Sequence, residues 1–296
     1  AAPLLLGLAW SCSIGGLGTP IGTPPNLILV QVYEENTAQT ISFGQWMSWG
    51  MPVVLTLLPL AWWWVTRAVP KELDIQVPAA GPWRSAERRV LVVFGLTAVA
   101  WITRAEPFGG WQRWLDLPAA NDASVALLAV VALFVVRDDQ GEPLIDWAKA
   151  SQIPWGVLLL FGGGICLARA FVASGLSAQV GDALTAVAAL PVFAMMLLLA
   201  LAVTFLTEAT SNTATTALLM PVLAAVALAV EIDPLWLMVP AAMSASCAFM
   251  LPVATAPNAV VFGSGELPIR RMVREGFALN LIGALLIATV AWVLLT

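Results

Sequence analysis

Three short polar runs interrupt long apolar stretches, and they are where chemistry could occur. The first is Pro20-Ile21-Gly22-Thr23-Pro24-Pro25-Asn26. The second is Thr207-Glu208-Ala209-Thr210-Ser211-Asn212-Thr213, and the third is Pro252-Val253-Ala254-Thr255-Ala256-Pro257-Asn258. Thr23, Asn26, Thr207, Thr210, Ser211, Asn212, Thr213, Thr255 and Asn258 offer uncharged oxygens. Hard cations take oxygen ligands, a rule that extends from calcium and magnesium to monovalent ions. Thr23 before Pro24-Pro25, Thr255 before Ala256-Pro257, and Ser211-Asn212-Thr213 read as helix starts. Free N–H groups and the positive dipole end make such starts suitable for carboxylates. Cations and an anion are therefore expected in one place. No Lys or Arg lies near these runs, so a multivalent anion would draw its positive charge from bound cations. Glu208 is the only acid well inside an apolar segment. Intramembrane acids are functional by default, and both a brace for the fold and a direct ion role fit it.

Those runs sit in a chain of 296 residues, of which 60% are hydrophobic and 10% charged. The mean hydropathy is +0.89. A soluble domain of this length could not hide that much apolar surface, so lipid must cover the surplus. There is no His, which removes the commonest metal ligand and general base. Cys12, Cys166 and Cys247 all lie in apolar stretches and suggest no disulfide frame, zinc site or redox motif. Short basic clusters between apolar runs give no nucleic-acid-binding surface. An intramembrane enzyme would need a buried catalytic pair, and no two acids share a span at depth. Phe161-Gly162-Gly163-Gly164 lacks the Lys-Ser/Thr of a phosphate loop and reads as close helix packing. Arg169 reads as snorkelling to the interface.

Apolar runs long enough to span a bilayer cover 2–33, 47–67, 89–104, 120–136, 154–172, 235–263 and 276–296, the first and sixth interrupted by Gly and Pro. A weaker amphipathic segment covers 174–189. The stretch 190–230 would be about 60 Å long as one helix, twice the hydrocarbon core. It must fold back at its polar centre. Limbs Pro191–Leu206 and Ala214–Val230 would each be about 24 Å, which suits a re-entrant hairpin better than two full spans. The basic residues concentrate in loops 67–89, 137–152 and 264–275. Threading the spans in order puts all three loops on one side, which should be cytoplasmic. Trp46, Trp49, Trp62, Trp63, Trp64, Trp155 and Trp236 lie near segment ends, as interfacial anchors do.

Residues 20–26 and 252–258 resemble each other at an offset of 232, with four of seven positions identical. The two segments cross in opposite directions, so the repeat is inverted. Paired broken spans in an inverted repeat point to a transporter's central site. Ser211 lies 44 residues before Thr255. The same spacing before Thr23 falls ahead of residue 1, and the chain is apolar from its first residue. A first hairpin is therefore expected upstream, which would make this the C-terminal part of a longer protein.

The run 207–216, Thr-Glu-Ala-Thr-Ser-Asn-Thr-Ala-Thr-Thr, resembles the Ser-Asn-Thr signature of the divalent anion:sodium symporters, the INDY-like di- and tricarboxylate carriers. Residues 13–26 look like that family's first broken-helix loop and 252–258 like its second, with Ala256 in place of a Pro. The resemblance covers essentially the whole chain. It implies an all-α polytopic membrane protein with about seven spanning helices, two of them discontinuous, plus one re-entrant hairpin. It implies transport elements at 1–33 and 190–263, scaffold and connecting helices at 34–189, and a cytoplasmic loop and last helix at 264–296. Ser211, Asn212 and Thr213 would touch substrate carboxylates, with Thr23, Pro24 and Ala256 lining the other side. One sodium would use Thr207, Asn212 and the carbonyls of Thr210 and Ala254, and Gly22 would serve another. Glu208, Asn26, Thr255 and Asn258 would support these groups. The implied function is sodium-coupled, elevator-like uptake of dicarboxylates of the succinate, malate or fumarate type, by a homodimer in the inner membrane, with sodium as co-substrate and no organic cofactor. A sodium-independent exchanger, a carrier of another divalent anion such as sulfate, a channel or a non-transporting subunit are the alternatives.

Overall fold

The computed structural model describes residues 2–67, 69, 81–105, 109–153 and 190–296, with scattered positions from 155 to 175. The expected span 154–172, the segment 174–189 and Arg169 lie largely outside the described residues. Within them the chain is helical, with twelve α-helices and no named strand. These residues form two compact units, one within Ala1–Ile41, Trp46–Lys71 and Gly156–Thr296, the other within Ser42–Gln45 and Glu72–Trp155.

In the second unit, α4 (Ser85–Ile102) packs on α6 (Asp122–Val135). The short helix α5 (Gly110–Trp114) is tied to α4 by the Trp111 indole, which donates to the Ala100 carbonyl, and α7 (Trp147–Ala150) follows α6. The pair is antiparallel and tied at both ends. Arg89 at the start of α4 pairs with Asp139 at 2.7 Å and donates to the Arg137 carbonyl. Arg104, just past its end, pairs with Asp122 at 2.6 Å, where the Trp101 indole also donates to the Asp122 carbonyl.

The first unit holds the expected discontinuous segments. Helix α1 (Ala2–Gly15) runs into a single 3₁₀ turn, Gly16–Gly18, and then a non-helical turn closed by the Gly22 N–H on the Thr19 carbonyl, which ends at an extended Thr23. Thr23 is extended because the residue before a proline is pushed out of the helical region. Pro24 then opens α2 (Pro24–Thr37), where its missing N–H costs nothing. The second break repeats this: α10 (Leu235–Ala245) ends, Thr255 is extended at φ −138°, and α11 (Ala256–Phe262) begins with Pro257 in its first turn. Between the breaks lie α3 (Phe43–Thr66), α8 (Val192–Ala209) and α9 (Asn212–Ala229), and α12 (Ile269–Leu295) closes the chain. Helices α3, α8, α9 and α12 are long and apolar enough to cross a membrane.

The hairpin differs from expectation in one respect. Both limbs run closer to the tip, so only Thr210 and Ser211 are non-helical. Polar side chains at 207 and 208 were expected to end the helix. They are instead satisfied by tertiary bonds, so the helix continues through them. Its limbs are thus about 27 Å each rather than 24 Å.

Two of the expected interfacial tryptophans prove to be core. Trp46 and Trp49 are buried, and Trp46 donates its indole N–H to the Leu17 carbonyl at 3.0 Å. Trp62, Trp63 and Trp155 remain exposed. Trp10, which the repeat did not flag, donates to the Phe249 carbonyl at 3.2 Å. Leu17 and Phe249 are equivalent positions of the repeat, so each break has one carbonyl capped by a buried indole. Arg67, at the end of α3, pairs with Glu275 near the start of α12 at 2.7 Å and lies over the Trp64 ring. The end of α3 therefore meets the first turns of α12, where Arg270, Arg271 and Arg274 are helical rather than in the expected loop 264–275.

The same two carbonyls are approached by helix glycines. A Cβ on Gly50 would overlap the Leu17 carbonyl, and one on Gly276 the Phe249 carbonyl. Overpacking of this kind costs about 1–3 kcal/mol. Gly50→Ala and Gly276→Ala should each lower the thermal midpoint of the detergent-solubilised protein. Gly7→Ala, where a Cβ inside α1 meets nothing within 4 Å, should not lower it.

Candidate functional site

The two breaks and the hairpin tip converge on one cavity of about 330 Å³. Gly22, Thr23 and Pro24 line it from the first break, Ser211, Asn212 and Thr213 from the tip, and Ala254, Thr255 and Ala256 from the second break. Three of the sequence's helix starts thus face a common space. No lining residue is charged, and among the described residues no group of His, Cys, Asp and Glu could hold a metal ion. Any cation here would meet neutral oxygens.

Each helix start is built locally. Ser211 caps α9, its hydroxyl accepting from Ala214 N–H at 3.5 Å, and Thr255 caps α11 by accepting from Asn258 N–H at 3.3 Å. Thr23 does not cap α2. Its hydroxyl pairs with that of Ser246 at 3.2 Å, which ties the first break to the end of α10. Ser246 and Cys12 also line the cavity, and the sequence reading passed over both. Ser246 carries the signal that could have found it, a hydroxyl among small apolar residues just before a break.

Behind the tip, oxygens cluster. The Thr207 hydroxyl lies 2.7 Å from Asn212 Oδ1 and 3.1 Å from the Ala245 carbonyl. One hydroxyl hydrogen cannot serve both acceptors at once. Thr210 pairs its hydroxyl with that of Thr215 at 2.6 Å. Thr207 and Asn212 are therefore brought together, with the Ala245 carbonyl as a neighbour.

Asn26 and Asn258 stand one layer back and do identical work. The Asn26 amide donates to the carbonyls of Gly16 and Thr19, at 3.0 and 2.9 Å. That of Asn258 donates to Ala248 and Leu251, at 3.0 and 3.1 Å. In both cases the partners lie ten and seven residues upstream. The turns Gly22 N–H to Thr19 and Ala254 N–H to Leu251, both 3.2 Å, also match. The repeat thus extends well beyond the seven aligned residues.

Glu208 is a brace. It is 4% exposed, and its carboxyl oxygens accept from the N–H groups of Met250 and Leu251, each at 2.8 Å, and from the Asn280 amide at 2.7 Å. Asn280 in turn accepts from Phe249 N–H at 3.1 Å. Three consecutive N–H groups of the second break are thereby held by side chains of α8 and α12.

An all-helical polytopic membrane protein with two broken helices and a hairpin tip around one uncharged cavity is built as secondary transporters are. The chain matches, over residues 1–296, the family described as the sodium:sulfate symporter transmembrane region, and it belongs to that family. This is the family that the three motifs resemble. It is 39% identical over 305 residues to the sodium-dependent dicarboxylate transporter SdcS of Staphylococcus saprophyticus, covering 98% of this chain and 58% of that protein. It is 38% identical over 304 residues to SdcS of Staphylococcus aureus strain bovine RF122, with the same coverage. The chain therefore spans 58% of the length of these relatives.

Glu208→Ala would leave the Met250 and Leu251 N–H groups without acceptors, at about 1–3 kcal/mol each. Its thermal midpoint should fall well below that of Glu208→Gln, which keeps an amide oxygen in place. Thermal unfolding of both variants in detergent checks the order.

Proposed function

We propose that the protein is a sodium-coupled carrier of dicarboxylates of the succinate type. The observation that carries this reading is the uncharged cavity faced by helix starts. A dicarboxylate brings two negative charges. Helix N-termini contribute only about +0.5 each, fading within one turn. Even three of them leave the charge incompletely met, and no Lys or Arg lines the cavity. Sodium held by neutral oxygens supplies the balance. The names of the SdcS relatives, which specify sodium and dicarboxylate, support the same choice. Sulfate, which the family's description names, is the second reading.

In this reading Ser211, Asn212 and Thr213 hold one face of the substrate and Thr23, Pro24 and Ala256 the other. Thr207, Asn212 and the carbonyls of Thr210 and Ala254 hold one sodium, and Gly22 contributes to a second. Glu208, Asn26, Thr255 and Asn258 keep these groups in place. Residues 1–33 and 190–263 form the moving transport element of a homodimer, and 34–189 belong to the scaffold. The protein spans the inner membrane with its basic segments 67–89, 137–152 and 264–275, the first running into α4 and the last into α12, in the cytoplasm, and the hairpin is re-entrant from the opposite side.

Asn212 is the shared ligand. Its amide oxygen faces sodium and its N–H₂ group a carboxylate, so the two ligands are thermodynamically coupled through it. Calorimetric titration of the full-length protein with succinate, with and without sodium, should give binding that requires sodium and is not displaced by sulfate. Asn212→Ala should abolish that binding, while Glu208→Gln changes succinate affinity far less. Unchanged sodium dependence in Asn212→Ala would remove the assignment, and displacement by sulfate would favour the second reading.

A further inference from the structure

We propose that Asn26 and Asn258 are a matched pair of positioning residues, each holding one break in the shape that presents its helix start to the cavity. The proposal rests on the cavity being the substrate and sodium site. Its first support is what each amide does. Asn26 and Asn258 occupy the third position of α2 and α11 and are fully buried. An amide has two N–H donors, and here both reach back to carbonyls that breaking the helix has released. Water would meet such carbonyls at a protein surface. In a membrane-spanning segment a protein group must.

A second support is what each side chain leaves unmet. The Oδ1 atoms of Asn26 and Asn258 are buried and have no hydrogen-bond partner among the described residues. Buried acceptors are normally paired. The same orphan recurs at both equivalent positions, so asparagine stands there for its two donors. Aspartate would place an oxygen against each carbonyl, and leucine would leave both carbonyls unmet.

Geometry carries the effect to the site. Thr19 and Leu251, which receive the amides, also receive the N–H groups of Gly22 and Ala254. Gly22 and Ala254 line the cavity. Anchoring the carbonyl therefore fixes the turn, and the turn fixes the cavity wall and the helix start that follows. Asn26 and Asn258 themselves do not line the cavity, so each acts through the turn it anchors.

The test uses the full-length protein with Asn26→Asp and Asn258→Asp, nearly isosteric changes that remove the donors. Hydrogen exchange is measured in peptides covering 12–26, 246–258 and α12, alongside sodium-dependent succinate binding. Each variant should speed exchange in its own break by about tenfold and leave the other break and α12 unchanged. Each should weaken sodium-dependent binding by about tenfold. Asn26→Ser and Asn258→Ser, which keep one donor, should show the same pattern to a smaller degree. Uniformly faster exchange across all three regions, unaltered exchange in the mutated break, or failure of both the aspartate and serine variants to fold would overturn the proposal in favour of a merely structural role. If exchange responds locally but the unmodified protein shows no sodium-dependent binding, the transport reading fails rather than the anchoring of the turns. If sodium-dependent binding is present and the breaks do not respond, the positioning role fails.

Discussion

Breaking a helix inside hydrocarbon frees backbone N–H and C=O groups that have no water to bond, and each unmet group costs several kcal/mol. Most of the described structure around 16–26 and 246–258 answers that cost. Trp46 and Trp10 cap the Leu17 and Phe249 carbonyls. Asn26 and Asn258 take two carbonyls each. Glu208 and Asn280 take three consecutive N–H groups of the second break. The helices bring their own contributors: α1 carries Trp10, α3 carries Trp46, α8 carries Glu208 and α12 carries Asn280. The packing of the first unit is thus organised around two interrupted segments rather than around a continuous apolar core alone.

Once those costs are met elsewhere, the N–H groups at the starts of α2, α9 and α11 can face a shared space. That space is lined by hydroxyls, amides and backbone, with no formal charge. Such a lining offers carboxylates donors and weak positive dipoles, and offers small cations oxygen ligands, but neutralises neither fully. In our reading this incompleteness is the origin of coupling, because each ligand supplies the charge the other lacks.

Much of this was legible in the chain. The seven-residue repeat and the polar centre of 190–230 located both breaks and the hairpin tip, because helix-start chemistry and helix-breaking residues are local signals. Other features could not be read locally. Thr207 and Glu208 look like helix terminators, yet partners 38 to 43 residues away keep them helical. Trp46 and Trp49 stand at a segment end, where indoles usually mark an interface, but the first break supplies Trp46 with a buried acceptor. Asn280 gave no signal as one amide in a long apolar helix, and Ser246 gave only a weak one. These roles arise from pairings at long sequence separation, which neither periodicity nor spacing encodes.

The central claim is that one cavity holds the dicarboxylate and that sodium is required for it. Cys12 is exposed and lines that cavity, whereas Cys247 is buried. In a Cys166→Ser background, alkylation of Cys12 by a small maleimide reports occupancy directly. The account predicts that succinate slows the reaction by an order of magnitude in sodium and leaves it unchanged when choline replaces sodium. Equal protection in both salts, or none in either, would contradict it.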